Sequence, residues 1–300
     1  MQQDFRKEIV EFINEESERY KLIETKYGYY SVDPMPSEEE LAEFYSRRYF
    51  SSEKETANRS MDAGQQDELE RYYFDRQYDE VIQFIEQHFN TKKINILDAG
   101  CGTAGLLKHL QKNGFRNLHG TEYDALLNIP GIKIYNGGFL DFEPEINYDL
   151  ITFNAVFEHV REPEKFLKYA HGMLNDGGMI RMETPNDLSY TQYVATKGKK
   201  FSNLYFFNPP EHLHYYNFDS LTRLLEANNF EVIKKRTTWC MEMFIMMGLD
   251  FAETKSMGKI CHVLRNNFEF AVKDEFLIEF YEKMAEIGVG RTIIQYARKV

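Results

Sequence analysis

The sequence predicts an α/β fold, a mostly parallel sheet with helices on both faces, and three observations predict it. First, Ile94-Asn95-Ile96-Leu97-Asp98 is a short apolar run that leads into a glycine turn and then a helix carrying Leu106, Leu107 and Leu110 on one face. Gly100, Gly102 and Gly105 give G-x-G-x-x-G in the strand–turn–helix context where backbone must approach a ligand closely. Second, strand and helix patterns alternate downstream, which is the signature of parallel strands joined by crossover helices. Third, 43% of the 300 residues are hydrophobic, enough for a buried core, and the length suggests a core domain with additions.

Taken in order, residues 1–66 read as an N-terminal leader and linker. Phe5, Ile9, Phe12 and Ile13 recur at helical spacing, and Tyr27–Val32 suits a short strand or hairpin. Pro34 and Pro36 break it, and Ser37 with Glu40 has capping-box spacing ahead of Leu41, Phe44 and Tyr45. Residues 51–66 are polar, as in a linker or lid. The core domain spans 67–240. It opens with a helix whose stripe is Tyr78, Val81, Ile82, Ile85 and Phe89. Strands follow near 94–98, 117–122, 132–136, 148–153 and 179–184, with helices near 104–113 and 163–175. Pro163 sits in the first turn of the second helix, and Gly177-Gly178 follows its end. A capped helix near 218–228 precedes the strand Phe230–Ile233. Residues 241–290 form a Met-rich helical insertion, readable as a lid, a pocket wall, core packing or a homodimer face. Residues 291–300 make a last strand.

The glycine turn with Glu122, 22 residues after Gly100, fits NAD as well as another adenosine cofactor, since an acid there can hold a ribose diol. Asp98 breaks the tie. A carboxylate immediately before the turn repels a pyrophosphate but suits the sulfonium and ammonium of S-adenosylmethionine (SAM). By the rule that open α/β sheets bind ligands at the carboxyl ends of their strands, Asp98, Ala99, Gly100, Cys101 and Gly102 converge with Glu122 and Tyr123. Gly138, Phe139 and Leu140 join them from the third strand, and Asn154 and Ala155 from the fourth.

Leu97-Asp98-Ala99-Gly100-Cys101-Gly102-Thr103 resembles the first motif of class I SAM-dependent methyltransferases. The resemblance implies a Rossmann-like, seven-stranded sheet whose last strand inserts antiparallel. It also implies SAM as cofactor, with S-adenosylhomocysteine as product. Tyr73 and Arg76 lie on the helix that reaches the SAM carboxylate in similar enzymes; helix packing is the competing reading. The Pro34–Tyr45 stretch is similar to the leader of many bacterial sugar- and polyketide-related methyltransferases. Some of those carry a cysteine zinc site there. This chain has no cysteine before Cys101, and no metal is expected.

Methyl transfer asks the protein to align a nucleophile, exclude water and remove a proton. His159 belongs to a Glu-His-Val run similar to one common in the family, where it more often shapes the SAM pocket. Glu211 and His212 lie in a proline-stiffened loop that resembles the Glu-His segment assisting chemistry in sugar C-methyltransferases. A histidine with an ordinary pKa of about 6.5 suits a general base, and His212 is the first candidate. Glu211-His212-x-His214 also permits a metal site, but no third ligand is evident. Tyr205, Phe206, Phe207, Tyr215 and Tyr216 either stack on an acceptor or the sulfonium, or close the core.

The expected function is methyl transfer to a small hydroxylated acceptor such as a nucleotide-linked sugar or glycan unit, O-methylation ahead of C-methylation. A quinone-precursor O-methyltransferase, a non-catalytic SAM-binding protein and a NAD oxidoreductase are the alternatives. A net charge of −12 without a Lys/Arg block argues against nucleic acid and anionic membranes. Cys101, Cys240 and Cys261 lack zinc-site pairing, and no run reaches a signal-peptide core or the ~20 apolar residues of a membrane span. A cytoplasmic setting is expected.

Overall fold

A computed structural model describes residues 4–45, 66–123, 127–199 and 204–300, with 66–75 described by their backbone alone. The expected polar linker, up to residue 65, lies outside the described residues. The chain divides into two compact units. One comprises Met1–Met35, Phe153–Gly172 and Met179–Val300, and the other Pro36–Thr152 and Met173–Gly178.

The first unit opens with α1 (Asp4–Glu16), β1 (Lys21–Glu24) and β2 (Tyr30–Asp33). Ile9 and Ile13 bury the apolar face of α1. β1 and β2 pair antiparallel, Leu22 opposite Val32, so the hairpin expected near 27–32 has its first strand several residues earlier. Asn14 fixes β1 through both functions of its side chain. Its Oδ1 accepts from the Leu22 N–H at 2.6 Å, and its Nδ2 donates to the Leu22 carbonyl at 3.0 Å.

In the second unit, residues 38–45 are helical (α2), and the expected capping box forms. Ser37 Oγ accepts from the Glu40 N–H, and Glu40 Oε2 accepts from the Ser37 N–H. Then come α3 (Gln66–His88), β3 (Asn95–Ala99), α4 (Gly105–Lys112), β4 (Asn117–Glu122), β5 (Lys133–Asn136) and β6 (Tyr148–Asn154), whose last two residues fall in the first unit. β3 and β4 run parallel with Asp98 opposite Gly120, as do β4 and β5 with Glu122 opposite Asn136. This register brings the ends of β3 and β4 level.

Apart from Met173–Gly178, which belong to the second unit, the first unit continues with α5 (Pro163–Met173), β7 (Leu174–Pro185), α6 (Tyr190–Lys197), β8 (His214–Tyr215), α7 (Phe218–Ala227) and β9 (Phe230–Arg236). After these come α8 (Glu242–Met246), α9 (Lys255–Ala271), α10 (Asp274–Glu286) and β10 (Thr292–Lys299). Seven strands make one sheet in the order β5-β4-β3-β6-β7-β10-β9, with β10 antiparallel to both β7 and β9. A second sheet, β1-β2-β8, takes two residues of the expected Glu-His loop as a strand. The Met-rich insertion is α8 to α10. Cys240, Leu277, Tyr281 and Met284 bury together under Trp239 and Phe280, and Met241, Phe244 and Cys261 form a neighbouring cluster. No helix of the described residues is long and apolar enough to cross a membrane.

Candidate functional site

The glycine turn is built by the end of β3. Gly100 and Cys101 donate their N–H groups to the Thr121 carbonyl at 2.9 and 3.0 Å, folding the chain back after Ala99. Gly100 and Gly102 have φ of +70° and +51°, left-handed values that a side chain would strain. Asp98 is buried, and its Oδ1 accepts from the Thr152 hydroxyl at 2.6 Å. The carboxylate immediately before the turn is therefore anchored from the neighbouring strand.

Glu122, at the end of β4, closes the cradle. Its Oε2 accepts from the Gly102 N–H at 2.8 Å and its Oε1 from the Tyr123 N–H at 2.9 Å. Each oxygen keeps a further lone pair, which is what two ribose hydroxyls require. After β5, Phe139 is buried in a short turn over Phe139–Asp141, with Leu140 half-buried. A Cβ at Gly138 would lie 2.3 Å from the Tyr123 hydroxyl and 2.9 Å from Asp141 Oδ2, so only glycine lets that tyrosine, itself 71% exposed, lie there. Burial, with Asp98 and Glu122 nearby, pushes the Cys101 thiol up to about 12, which keeps it protonated. The cradle thus carries acids and backbone, a poor match for a pyrophosphate and a good one for a cationic, ribose-bearing ligand. Arg76 is half-buried on α3; the Tyr73 side chain lies outside the described residues.

The other candidates belong to the first unit. Asn154 Oδ1 accepts from Arg181 Nη1, and Arg181 Nη2 also donates to Glu183 Oε2 at 2.7 Å. Ala155 follows with φ +51°, and its N–H donates to the Glu183 carbonyl. A left-handed alanine is an uncommon, mildly strained conformation of the kind found near functional turns.

His159 and His212 come together although the motifs that carry them are far apart in sequence. Their rings make an edge contact at 5.1 Å. The Leu213 N–H donates to the Glu158 carbonyl at 2.8 Å, and His159 Nδ1 lies 2.6 Å from the Glu211 carbonyl. A carbonyl only accepts, so His159 Nδ1 carries a proton and, in the neutral ring, Nε2 presents a lone pair. Glu211 itself is held by Asn208, whose Nδ2 donates to Oε2 at 2.6 Å.

Glu158 is the residue that the sequence reading left out of the site. It is 2% exposed, its Oε2 accepts from the Thr184 hydroxyl at 3.0 Å, and its Oε1 lies 3.8 Å from His159 Nε2. Burial, opposed by a bond from its own backbone N–H and by the Thr184 bond, pushes its carboxyl up to about 7. Ligand-capable atoms of Glu158, His159 and His212 all lie within 4.8 Å of one another. The only sequence signal was adjacency to His159, since the His212 loop reaches it through tertiary folding alone.

His214 is not part of this group. It is buried in β8 with Nδ1 2.8 Å from Ser31 Oγ, and burial lowers its pKa to about 4, so it is neutral and structural. Phe206, Tyr215 and Tyr216 are core residues, and the Tyr205 hydroxyl donates to Glu242 Oε1 at 3.0 Å.

The family model of the methyltransferase domain matches residues 69–235. A Mycolicibacterium smegmatis protein described as an S-adenosylmethionine-dependent methyltransferase is 26% identical over 170 residues, covering 54% of this chain and 61% of that protein. A ubiquinone biosynthesis O-methyltransferase from Coxiella burnetii is 26% identical over 125 residues, 38% of this chain and 53% of that one. The chain thus spans only about half to three-fifths of the length of these curated relatives. The fold is also that of magnesium protoporphyrin IX methyltransferase from Synechocystis, solved with S-adenosylhomocysteine bound (TM-score 0.51, 13% identity, 86% of this chain and 100% of that chain). With the family model spanning more than half of its length, the chain belongs to the methyltransferase domain family.

Proposed function

We propose that this methyltransferase acts on a hydroxyl of a small acceptor, such as a glycan unit or a nucleotide-linked sugar, and that the acceptor's proton is received at the cluster of Glu158, His159 and His212. The observation that carries the reading is the convergence of three proton-accepting side chains within 4.8 Å. S-adenosylmethionine supplies a methyl group already activated by its sulfonium. What remains for the protein is to hold the cofactor, align the acceptor oxygen and take its proton. Glu122 and the Gly100–Gly102 turn serve the first task. His212 is the group proposed to take the proton, with His159 held in one tautomer by the Glu211 carbonyl. The strong negative charge favours acceptors that are not polyanions.

A panel of sugars, glycosides and nucleotide-linked sugars, read by S-adenosylhomocysteine formation, tests the reading. His212→Gln is expected to lower kcat by about 10²–10⁴-fold while SAM affinity stays within a few-fold. Full activity in that variant removes His212 from the reaction. The similarity to the Coxiella O-methyltransferase favours a second reading, a quinone-precursor O-methyltransferase. Hydroxylated quinone precursors in the same panel decide between them.

A further inference from the structure

We propose that Glu158, His159 and His212 form a binding site for a divalent transition-metal ion of the zinc class. It rests on the reading that the acceptor hydroxyl is activated at this cluster, and it changes the agent of that activation. Two imidazoles and one carboxylate are a three-ligand set typical of catalytic zinc, which keeps a fourth position open.

Three features favour an ion. His159 Nδ1 is committed to the Glu211 carbonyl at 2.6 Å, so the lone pair of Nε2 faces Glu158 Oε1 at 3.8 Å. The two atoms face each other at a spacing that one bound cation can bridge, with Glu158 buried and His159 25% exposed. The same Nδ1–H to carbonyl bond is the arrangement that orients metal-ligating histidines and fixes their tautomer. Thr184 does the equivalent for the carboxylate, holding Oε2 at 3.0 Å and leaving Oε1 for the ion. The third ligand is delivered by a braced loop. The His212 N–H donates to the Asn208 carbonyl at 3.0 Å and the Leu213 N–H to the Glu158 carbonyl at 2.8 Å.

Distances fit after a small contraction. Bonds of about 2.0–2.1 Å in a tetrahedral site separate ligand atoms by roughly 3.4 Å. The Glu158–His159 pair at 3.8 Å is already close to that, and a ligand atom of His212 lies within 4.8 Å of both.

With the ion bound, His212 lends its lone pair to the metal and is a ligand rather than the base. The acceptor oxygen takes the open position, where the ion lowers its pKa as it does for bound water. The O–H proton leaves to a solvent water, and the O–CH3 bond forms as the S–CH3 bond breaks. Sulfur keeps the electron pair, giving neutral S-adenosylhomocysteine, and the ion is unchanged in charge.

Cobalt(II) is the probe. The full chain, stripped with a chelator, is titrated with Co²⁺ and followed by visible absorption, then challenged with Zn²⁺. One equivalent giving an intense tetrahedral band that Zn²⁺ abolishes is the expected result. Co²⁺ affinity should fall at least tenfold in His159→Gln and in His212→Gln, with circular dichroism confirming that both variants are folded. Absence of a band at millimolar Co²⁺, a band unchanged in both variants, or a thiolate charge-transfer band pointing to Cys101, Cys240 or Cys261 overturns the site. SAM calorimetry on the same samples separates the two readings. Normal SAM binding with methyl transfer indifferent to chelator rejects the ion and leaves His212 as base. Absence of SAM binding rejects the methyl-transfer reading itself.

Discussion

Asp187 is fully buried, with Oδ1 accepting from Gln192 Nε2 at 3.1 Å, and its carboxyl is pushed from 3.8 up to about 7 because burial outweighs the nearby Arg291. A native pKa above the unfolded one means that the native state holds its proton longer. The stabilisation is complete below pH 3.8 and is lost as pH rises towards 7, by up to about 4 kcal/mol. Glu158 slopes the same way. Asp187→Asn, which cannot ionise, should therefore lose about half of the decline in Tm between roughly pH 4 and 7, measured by calorimetry. An unchanged slope would show that Asp187 ionises freely in the native protein. At this scale, legibility depended on locality. Asp98, the glycines and Glu122 could be read from one strand–turn–helix pattern and its next strand. Glu158 could not, because its place in the candidate site depends on a loop more than fifty positions later, which sequence proximity does not reveal. Asp187 offered no signal either, since an acid after a strand normally sits in water.

Among the elements, the Met-rich insertion is tied to the sheet by a buried charge pair. Glu242, at the start of α8, accepts at Oε1 from Arg291 Nη1 and from the Tyr205 hydroxyl, both at 3.0 Å, and is 1% exposed. Arg291→Met leaves that carboxylate buried without its cation and should cost about 3–5 kcal/mol in urea unfolding. Adding Glu242→Gln should recover most of the loss, whereas additive losses would show that the pair is not coupled. The sequence made α4, α5, α7 and the parallel strands plain, because each has an apolar period and a capping or glycine signal. It hid β1 and β8. A four-residue strand with a charge at each end and two apolar residues between has too little pattern to read, and β8 is two residues whose pairing to β2 is entirely long-range. α6 was also unread. Its interior buries Thr191, Gln192 and Thr196, polar residues that periodicity counts as outward.

For the whole molecule, cofactor binding is linked to folding. SAM at a hundred times its Kd should raise the free energy of unfolding by about 2.7 kcal/mol, seen as an upward shift in Tm, and NAD at the same concentration should raise it not at all. Asp98→Asn keeps the Thr152 bond but removes the charge, so the SAM shift should shrink while Tm without ligand changes little. A NAD shift as large as the SAM shift would reverse the cofactor assignment. The seven-stranded plan was legible here because alternation sets it, and the antiparallel last strand followed from the family resemblance rather than from any local signal.

The position of β10 also bears on synthesis. It lies between β7 and β9 and pairs with both along almost its whole length, yet it follows both in the chain, with α8, α9 and α10 intervening. A ribosome adding about 5–20 residues per second therefore releases β7 and β9 seconds before the strand that joins them exists. During that interval each offers an unpaired edge to any nascent neighbour. Slow translation of the α8–α10 region would lengthen that exposure of edges remote from the cofactor cradle.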